Sequence, residues 1–458
     1  MPEQTILIKN ALRVAVMDDA RTEYENADIL IEGKAVKQVG KNIAAKADIT
    51  VDATGCVAIP GMVNTHHHLY QTLTRNLPAV QNSKLFDWLL YLYEVWRQVT
   101  PEAVHISAQI GLGELMLTGC TTSSDHFYVF PHAQSKTLID EEIRAAAELG
   151  IRFNPCRGSM SRGKSNGGLP PDDVVQTEDE IMKDCERLVN TYHDRSKYSM
   201  LRIALAPCSP FSVTTELLKD TAVVAKKWDV RMHTHLAETL DEQDFCQHLF
   251  KLRPLAYMES VGWLEGGRSW FAHCVHMNEA EAKLMGKTKT GVAHCPVSNL
   301  RLGSGIAPIR QYLDNGVPVS IAVDGSASND ASDMLGEARM AMMVARVKSG
   351  VESMPARDVL YMATRGGAAV LGRDDIGSLE AGKAADIALF DVSGIEFAGS
   401  QSDPVAAVIF CGSNHRAKHV FVNGRQTVRD FRLANVDETK VAAKANAVAK
   451  KMFEASGK

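Results

Sequence analysis

The chain has 458 residues, of which 45% are hydrophobic and 23% charged, with a formal net charge of -5. That length allows up to about three domains, although one α/β barrel can take about 250 residues alone. The acidic balance and the lack of a long basic run exclude an electrostatic footprint for nucleic acid.

The first ten residues lack the charged-then-apolar layout of a signal peptide. No stretch of about 18 apolar residues occurs, so no spanning helix is expected. Nine cysteines are scattered through the chain. None forms a CxxC pair and the number is odd, which reads as buried reduced thiols in a cytoplasmic protein.

In chain order, residues 5–8, 12–16, 27–32 and 36–39 are short β-rich runs separated by Asn, Asp and Gly. The middle then alternates. Apolar runs recur at 57–63, 121–124, 151–155, 201–206, 230–235, 269–273, 291–294 and 317–323. Helical patterns lie between most of them, as at 141–149, 214–227, 278–285 and 309–315. Thr177 and Glu180 have capping-box spacing ahead of a helix over 181–192. A Gly/Pro-rich loop, 162–173, follows the third run and could be a mobile lid or a solvated connector. β-rich runs return at 385–391, 407–411 and 419–422, with a hairpin signal at Asn423-Gly424. The tail, 438–454, is rich in good helix formers.

Eight strand–helix units in one series point to a (β/α)8 TIM-like barrel, with an open doubly wound sheet as the competitor. The expected division is a barrel over 61–379 and a small β-sandwich domain built from 1–60 and 380–435. A C-terminal helix would follow over 436–458.

In such a barrel, polar residues at the C-terminal strand ends face the active site. The first run ends in His66-His67-His68, where alternation puts His66 and His68 on one side and His67 on the other. The fifth ends in His233-Thr234-His235, and either histidine could complete a metal site; Glu238 follows three residues later. The sixth ends at His273 and the eighth at Asp324-Gly325. Imidazole and carboxylate donors suit zinc, and iron accepts the same set. A divalent ion with an open position lowers the pKa of its bound water to about 7. Asp324 can both ligate and accept a proton, Glu238 can shuttle one to a ring nitrogen or leaving group, and His273 can orient the attacking oxygen.

These residues resemble the amidohydrolase superfamily. The resemblance spans nearly the whole chain through IPGMVNTHHHLYQTLTRNL, HTHLAET, WFAHCVH, HCPVSNLRLGSG, DGSASND and GSLEAGKAADIALFD. It implies a metal on His66, His68, His235 and Asp324, with Glu238 and His273 as the catalytic pair. It also implies a single ion, because the fourth run ends Ala206-Pro207-Cys208 where binuclear members carry a lysine. Within the superfamily the chain resembles the mononuclear deaminases, the 8-oxoguanine deaminases first, with s-triazine hydrolases sharing much of the pattern. The implied substrate is a small heterocycle and the implied reaction hydrolytic deamination of an amino-substituted oxopurine. A triazine hydrolase and a deaminase of guanine, isoguanine or pterins are the alternatives.

A flat ring needs an apolar slot and a few fixed polar groups. Gln71 could bond a ring amide, and Trp88 could stack on the ring. His126 ends the second strand, Arg157 follows the third and could meet a ring carbonyl, and Cys208 follows the fourth. The apolar-aromatic run 86–96 could be an interface of a homo-oligomer. A non-catalytic scaffold is disfavoured because the whole ligand set is present.

Overall fold

The computed structural model describes residues 4–458. Residues 1–3, expected at the start of the small domain, lie outside the described residues. The chain opens with β1 (Thr5–Ala15), β2 (Glu23–Glu32), β3 (Ala35–Gly40), β4 (Ile49–Asp52) and β5 (Cys56–Pro60). The runs at 5–8 and 12–16 are one strand. It shifts register against β2 between Ile8 and Ala11, where Asn10 turns left-handed at φ 63°.

The barrel strands are β6 (Met62–Asn64), β7 (Cys120–Phe127), β8 (Arg152–Ser159) and β9 (Ala204–Pro207), then β10 (Arg231–Leu236), β11 (Ser269–His273), β12 (Gly291–His294) and β13 (Val319–Ile321). They pair in parallel in chain order. Two bonds link the last strand to the first. The Asp324 N–H donates to the His66 carbonyl at 3.1 Å, and the Val323 N–H to Asn64 Oδ1 at 3.0 Å. The open-sheet competitor is therefore displaced, and His66 and Asp324 are brought together by the closure itself.

The apolar run 57–63 is two strands, not one. It breaks at Gly61, where a Cβ would lie 2.1 Å from the Thr121 side chain. β5 stays with the small sheet, while β6 enters the barrel. That sheet is completed by β14 (Ile387–Asp391), β15 (His419–Val422), β16 (Arg425–Arg429) and β17 (Arg432–Leu433), so both ends of the chain build it. The hairpin at Asn423-Gly424 forms as expected, with φ 47° and 72°. The run expected as a strand at 407–411 is instead part of the helix Pro404–Phe410. Asp403 caps it at the Ala406 N–H, and Pro404 supplies a first-turn φ without needing a donor. The buried Arg152–Asp386 ion pair, joined by Asn423, ties the sheet to the barrel.

Six helices matter below: α1 (Leu85–Trp96), α2 (Pro101–Leu117), α3 (Leu138–Leu149), α4 (Glu178–Tyr192), α5 (Thr215–Trp228) and α6 (Leu240–Phe250). Thr177 and Glu180 form the expected capping box on α4. α1 lies over the barrel mouth with Trp88, Leu89, Leu92 and Tyr93 buried within the chain, while Leu90 on the same run stays exposed. The closing helix Glu438–Ser456 packs Ala445, Val448 and Met452 into the same cluster. Among the described residues no helix is long and apolar enough to cross a membrane, and the cysteines are all free.

Candidate metal centre and active site

The strand ends converge on one point. His66 Nε2 lies 3.3 Å from Asp324 Oδ1, and His68 Nε2 lies 3.4 Å from the same oxygen. His235 Nε2 is 3.0 Å from His68 Nε2. His67 turns away and bonds Ser332, as alternation requires.

The hydrogen bonds behind the rings fix their tautomers. A backbone carbonyl only accepts, so a ring nitrogen facing one must carry the hydrogen. His68 Nδ1 donates to the His126 carbonyl at 2.8 Å, and His235 Nδ1 to the Cys208 carbonyl at 2.6 Å. His233 Nδ1 donates to the Trp270 carbonyl at 2.9 Å, which leaves its Nε2 to accept from His66 Nδ1 at 2.7 Å. His66, His68 and His235 are then each left with an Nε2 lone pair: those of His66 and His68 lie beside the Asp324 carboxylate, and that of His235 lies beside His68 Nε2. His66 Nε2 is buried with no hydrogen-bond partner. Two imidazole lone pairs 3.0 Å apart repel unless a cation lies between them.

Donors held about 2.0–2.2 Å from one tetrahedral ion stand roughly 3.3 Å apart, close to the His66–Asp324, His68–Asp324 and His68–His235 separations of 3.3, 3.4 and 3.0 Å. The residues therefore fit a divalent metal. Burial keeps His66 and His235 neutral, with pKa values well below the ordinary imidazole range. Burial alone would raise Asp324, but the imidazoles packed around it, His66 first and then His273 and His68, bring it well below the usual carboxylate range. The choice left open between the two fifth-strand histidines now has a geometric reading. His235 points its lone pair at the centre, while His233 is spent orienting His66.

Glu238 and His273 stand beside this set. His273 Nε2 is 3.5 Å from Glu238 Oε2 and 4.0 Å from Asp324 Oδ2. Its Nδ1 bonds Asn299 Oδ1 at 2.8 Å. Burial would lower His273, but the Glu238 and Asp324 carboxylates outweigh it and raise its pKa. Burial raises Glu238 as well, while Ser304 donates to its Oε1 at 3.2 Å. Ala237, His273, Cys274 and Asp324 are all left-handed, at φ 52°, 71°, 49° and 64°. Non-glycine residues in that region cost roughly 1–3 kcal/mol each, and such strain gathers at functional sites.

A pocket partly open to solvent lies above these groups. Trp88, Tyr93, Tyr128, Phe211 and Leu302 make its apolar wall. Gln71, Trp88 and Cys208 line it, where the sequence placed them. Gln71 Oε1 and Trp88 Nε1 are buried without partners. Burial pushes the Cys208 thiol up to about 12, so it stays a neutral thiol.

Two expected ring contacts are corrected. Arg157 points out of the barrel toward α4 and does not line the cavity. Its guanidinium is consumed by Asp184 at 2.7 Å, Gln176 at 2.8 Å and the Gly158 carbonyl at 2.5 Å. His126 lies beneath the metal set, its ring stacked on His235 at 4.9 Å and its Nε2 on the Ala206 carbonyl at 2.8 Å. It supports ligands rather than a ring. The loop 162–173 contributes nothing to the cavity lining, and α1 is the cover instead.

Tyr128, Phe211, Ser304 and Glu242 escaped the sequence reading. Tyr128 follows β7 by one residue, which the strand-end rule could have flagged. Phe211 and Ser304 lie on connecting segments without a distinguishing pattern, and Glu242 sits in the first turn of α6, where its spacing reads as a helix start.

The amidohydrolase family model matches residues 57–427. This chain belongs to the amidohydrolase family. It is 46% identical to the 8-oxoguanine deaminase of Pseudomonas aeruginosa, over 92% of this chain and 93% of that one. It is 35% identical to an isoxanthopterin deaminase from an unknown prokaryotic organism, over 98% of both. Among solved structures, atrazine chlorohydrolase from Arthrobacter aurescens TC1 complexed with zinc superposes with a TM-score of 0.93 at 37% identity. That match covers 97% of this chain and all of the other. This amidohydrolase is thus an enzyme of hydrolytic C–N cleavage with a site for a divalent metal.

Proposed function

We propose that this amidohydrolase deaminates a free amino-substituted oxopurine hydrolytically, 8-oxoguanine by preference, to give urate and ammonia. One observation carries the reading: the imidazole and carboxylate set opens into an aromatic-walled cavity with no lysine or arginine in its lining. That suits a neutral planar heterocycle. The 46% identity to an 8-oxoguanine deaminase favours an oxopurine within that class.

A single zinc ion on His66, His68, His235 and Asp324 is the expected cofactor. No lysine follows β9, where Cys208 stands instead. When bound there, the ion supplies Lewis-acid activation of water at neutral pH. Trp88 packs against the ring, and Gln71 offers an unpaired amide oxygen to a ring N–H. Asp324 takes a proton from the attacking water. Glu238, whose burial favours the protonated form, gives a proton to the ring nitrogen beside the amino-bearing carbon. Protonation of the amino nitrogen then lets it depart as ammonia, while the attacked carbon becomes a carbonyl. Water and the amino compound thus balance against the oxo product and ammonia. His273 donates from Nε2 to the developing oxygen charge, with Asn299 holding its other nitrogen. The free thiols and the lack of a spanning helix among the described residues suit a cytoplasmic setting.

A second reading, displacement of chloride or an alkylamine from a triazine, is favoured by the likeness to the zinc-bound atrazine chlorohydrolase. Chloride leaves without a proton, so Glu238 is less necessary there. The test is ammonia release from 8-oxoguanine, guanine, isoguanine, pterins and triazines side by side. Ammonia from 8-oxoguanine at the highest kcat/KM is expected. No ammonia from any oxopurine would overturn the proposal.

A further inference from the structure

Glu242 lies in the first turn of α6 and lines the same cavity as Glu238, yet it is 1% exposed. Thr239-x-x-Glu242 has the spacing of a capping box, in which Glu242 would bond the Thr239 N–H. The boxes at Thr177/Glu180 and Asn278/Glu281 close in that way. This one does not. Glu242 reaches further back, with Oε1 accepting from the Ala237 N–H at 2.9 Å and Oε2 from the Glu238 N–H at 3.2 Å. Thr239 Oγ1 is left buried without a partner.

The diverted carboxylate lands on a strained turn. Ala237 is left-handed at φ 52° without being glycine. Its carbonyl accepts from Val275 and His276, both at 3.0 Å, which ties it to the turn that carries His273. The peptide that carries Glu238 is therefore gripped from both sides. A helix cap has been given up to do it.

We propose that Glu242 is a positioning residue that clamps the Ala237–Glu238 turn and aims the Glu238 carboxyl into the cavity. The proposal rests on the reading of Glu238 as the proton shuttle. Misplacing a reacting group by about 1 Å costs on the order of 10²-fold in rate.

The test is a double-mutant cycle in the zinc-loaded enzyme, using Glu242→Gln, Glu238→Gln and the pair. Glu242→Asp, which keeps the charge but shortens the reach, is run in parallel in case the amide fails to fold. Glu242→Gln is expected to lower kcat about 10²-fold, with KM little changed and zinc content at parity. In the Glu238→Gln background it should add almost nothing, because its effect passes through Glu238. Amide exchange at Ala237 and Glu238 should speed up in Glu242→Gln whatever the substrate. Glu180→Ala, which breaks an ordinary capping box, should lower the Tm and leave kcat alone. Full additivity in the cycle, loss of zinc with Glu242→Gln, or unchanged amide protection would overturn the clamp. Wild-type activity in Glu238→Gln alone would instead overturn the shuttle reading, and the exchange data would still judge the clamp.

Discussion

Replacing His233 by Phe separates a ligand from the residue that orients one. The Phe ring can keep the stack on Trp270, where the imidazole now lies at 4.4 Å and 12°. What it removes is the acceptor 2.7 Å from His66 Nδ1. A buried donor left unpaired costs about 1–3 kcal/mol. Loss of such an outer partner typically weakens metal binding 10–100-fold, or roughly 1.4–2.7 kcal/mol. His233→Phe is therefore expected to keep one equivalent of metal at saturation, with a Kd raised about 10–100-fold. His235→Phe, which removes a donor outright, should not hold a full equivalent. Competition against a chelator of known affinity, with metal per chain measured on both variants, reads the difference. If His233→Phe lost metal as completely as His235→Phe, or bound it with unchanged affinity, the tautomer relay would be refuted.

Three further outcomes follow from the same geometry. The cavity's carboxylates are Glu238, Glu242 and Asp324, all engaged, so nothing among the described lining residues offers a carboxylate to ribose hydroxyls. The nucleoside of any accepted base should show at least about a 10³-fold lower kcat/KM, a factor worth roughly 4 kcal/mol; comparable turnover would contradict the free-base reading. Arg157→Ala should destabilise the protein by about 3 kcal/mol, since it breaks a buried pair but leaves Asp184 its second partner, Arg187. Its KM should stay near wild type in steady-state assays, and a large rise would return Arg157 to the substrate. Burial raises the Asp125–Glu142 carboxyls above the usual range. A raised folded pKa means that the folded chain binds more protons than the unfolded one above about pH 4.3, so this contribution is complete below that pH and is lost as pH rises through the folded value. Relative to wild type, Glu142→Gln should therefore gain stability between pH 5 and pH 8, by at most about 1.4 kcal/mol per pH unit for each proton. Denaturant midpoints that shift in parallel at both pH values would count against it.

Much of the site was readable because a parallel barrel gathers its strand ends. His66, His68 and Asp324 needed only the strand-end rule and the alternation that turned His67 away. His233 and His235 share one side of β10, so parity could not choose between them; both give Nδ1 to a backbone carbonyl, and the choice lies in what Nε2 meets, His66 Nδ1 for His233 and His68 Nε2 for His235. Arg157 failed for the opposite reason. It sits at a strand end, but its parity aims it at α4 and Asp184. His126 has the inward parity and sits one level too deep. Glu242 was hidden because its spacing spells an ordinary helix start, and only the folded turn shows where its oxygens go. In the fold, Gly61 divided an apolar run that looked continuous. The segment at 404–410 became a helix because Asp403-Pro404 starts one before its β-rich residues can pair.

The centre itself is tested most directly by anomalous diffraction at the zinc edge from zinc-loaded crystals. One peak is expected, about 2.0–2.2 Å from His66 Nε2, His68 Nε2, His235 Nε2 and an Asp324 oxygen. Two peaks, or a single peak bonded to His126 or His233 instead, would contradict it.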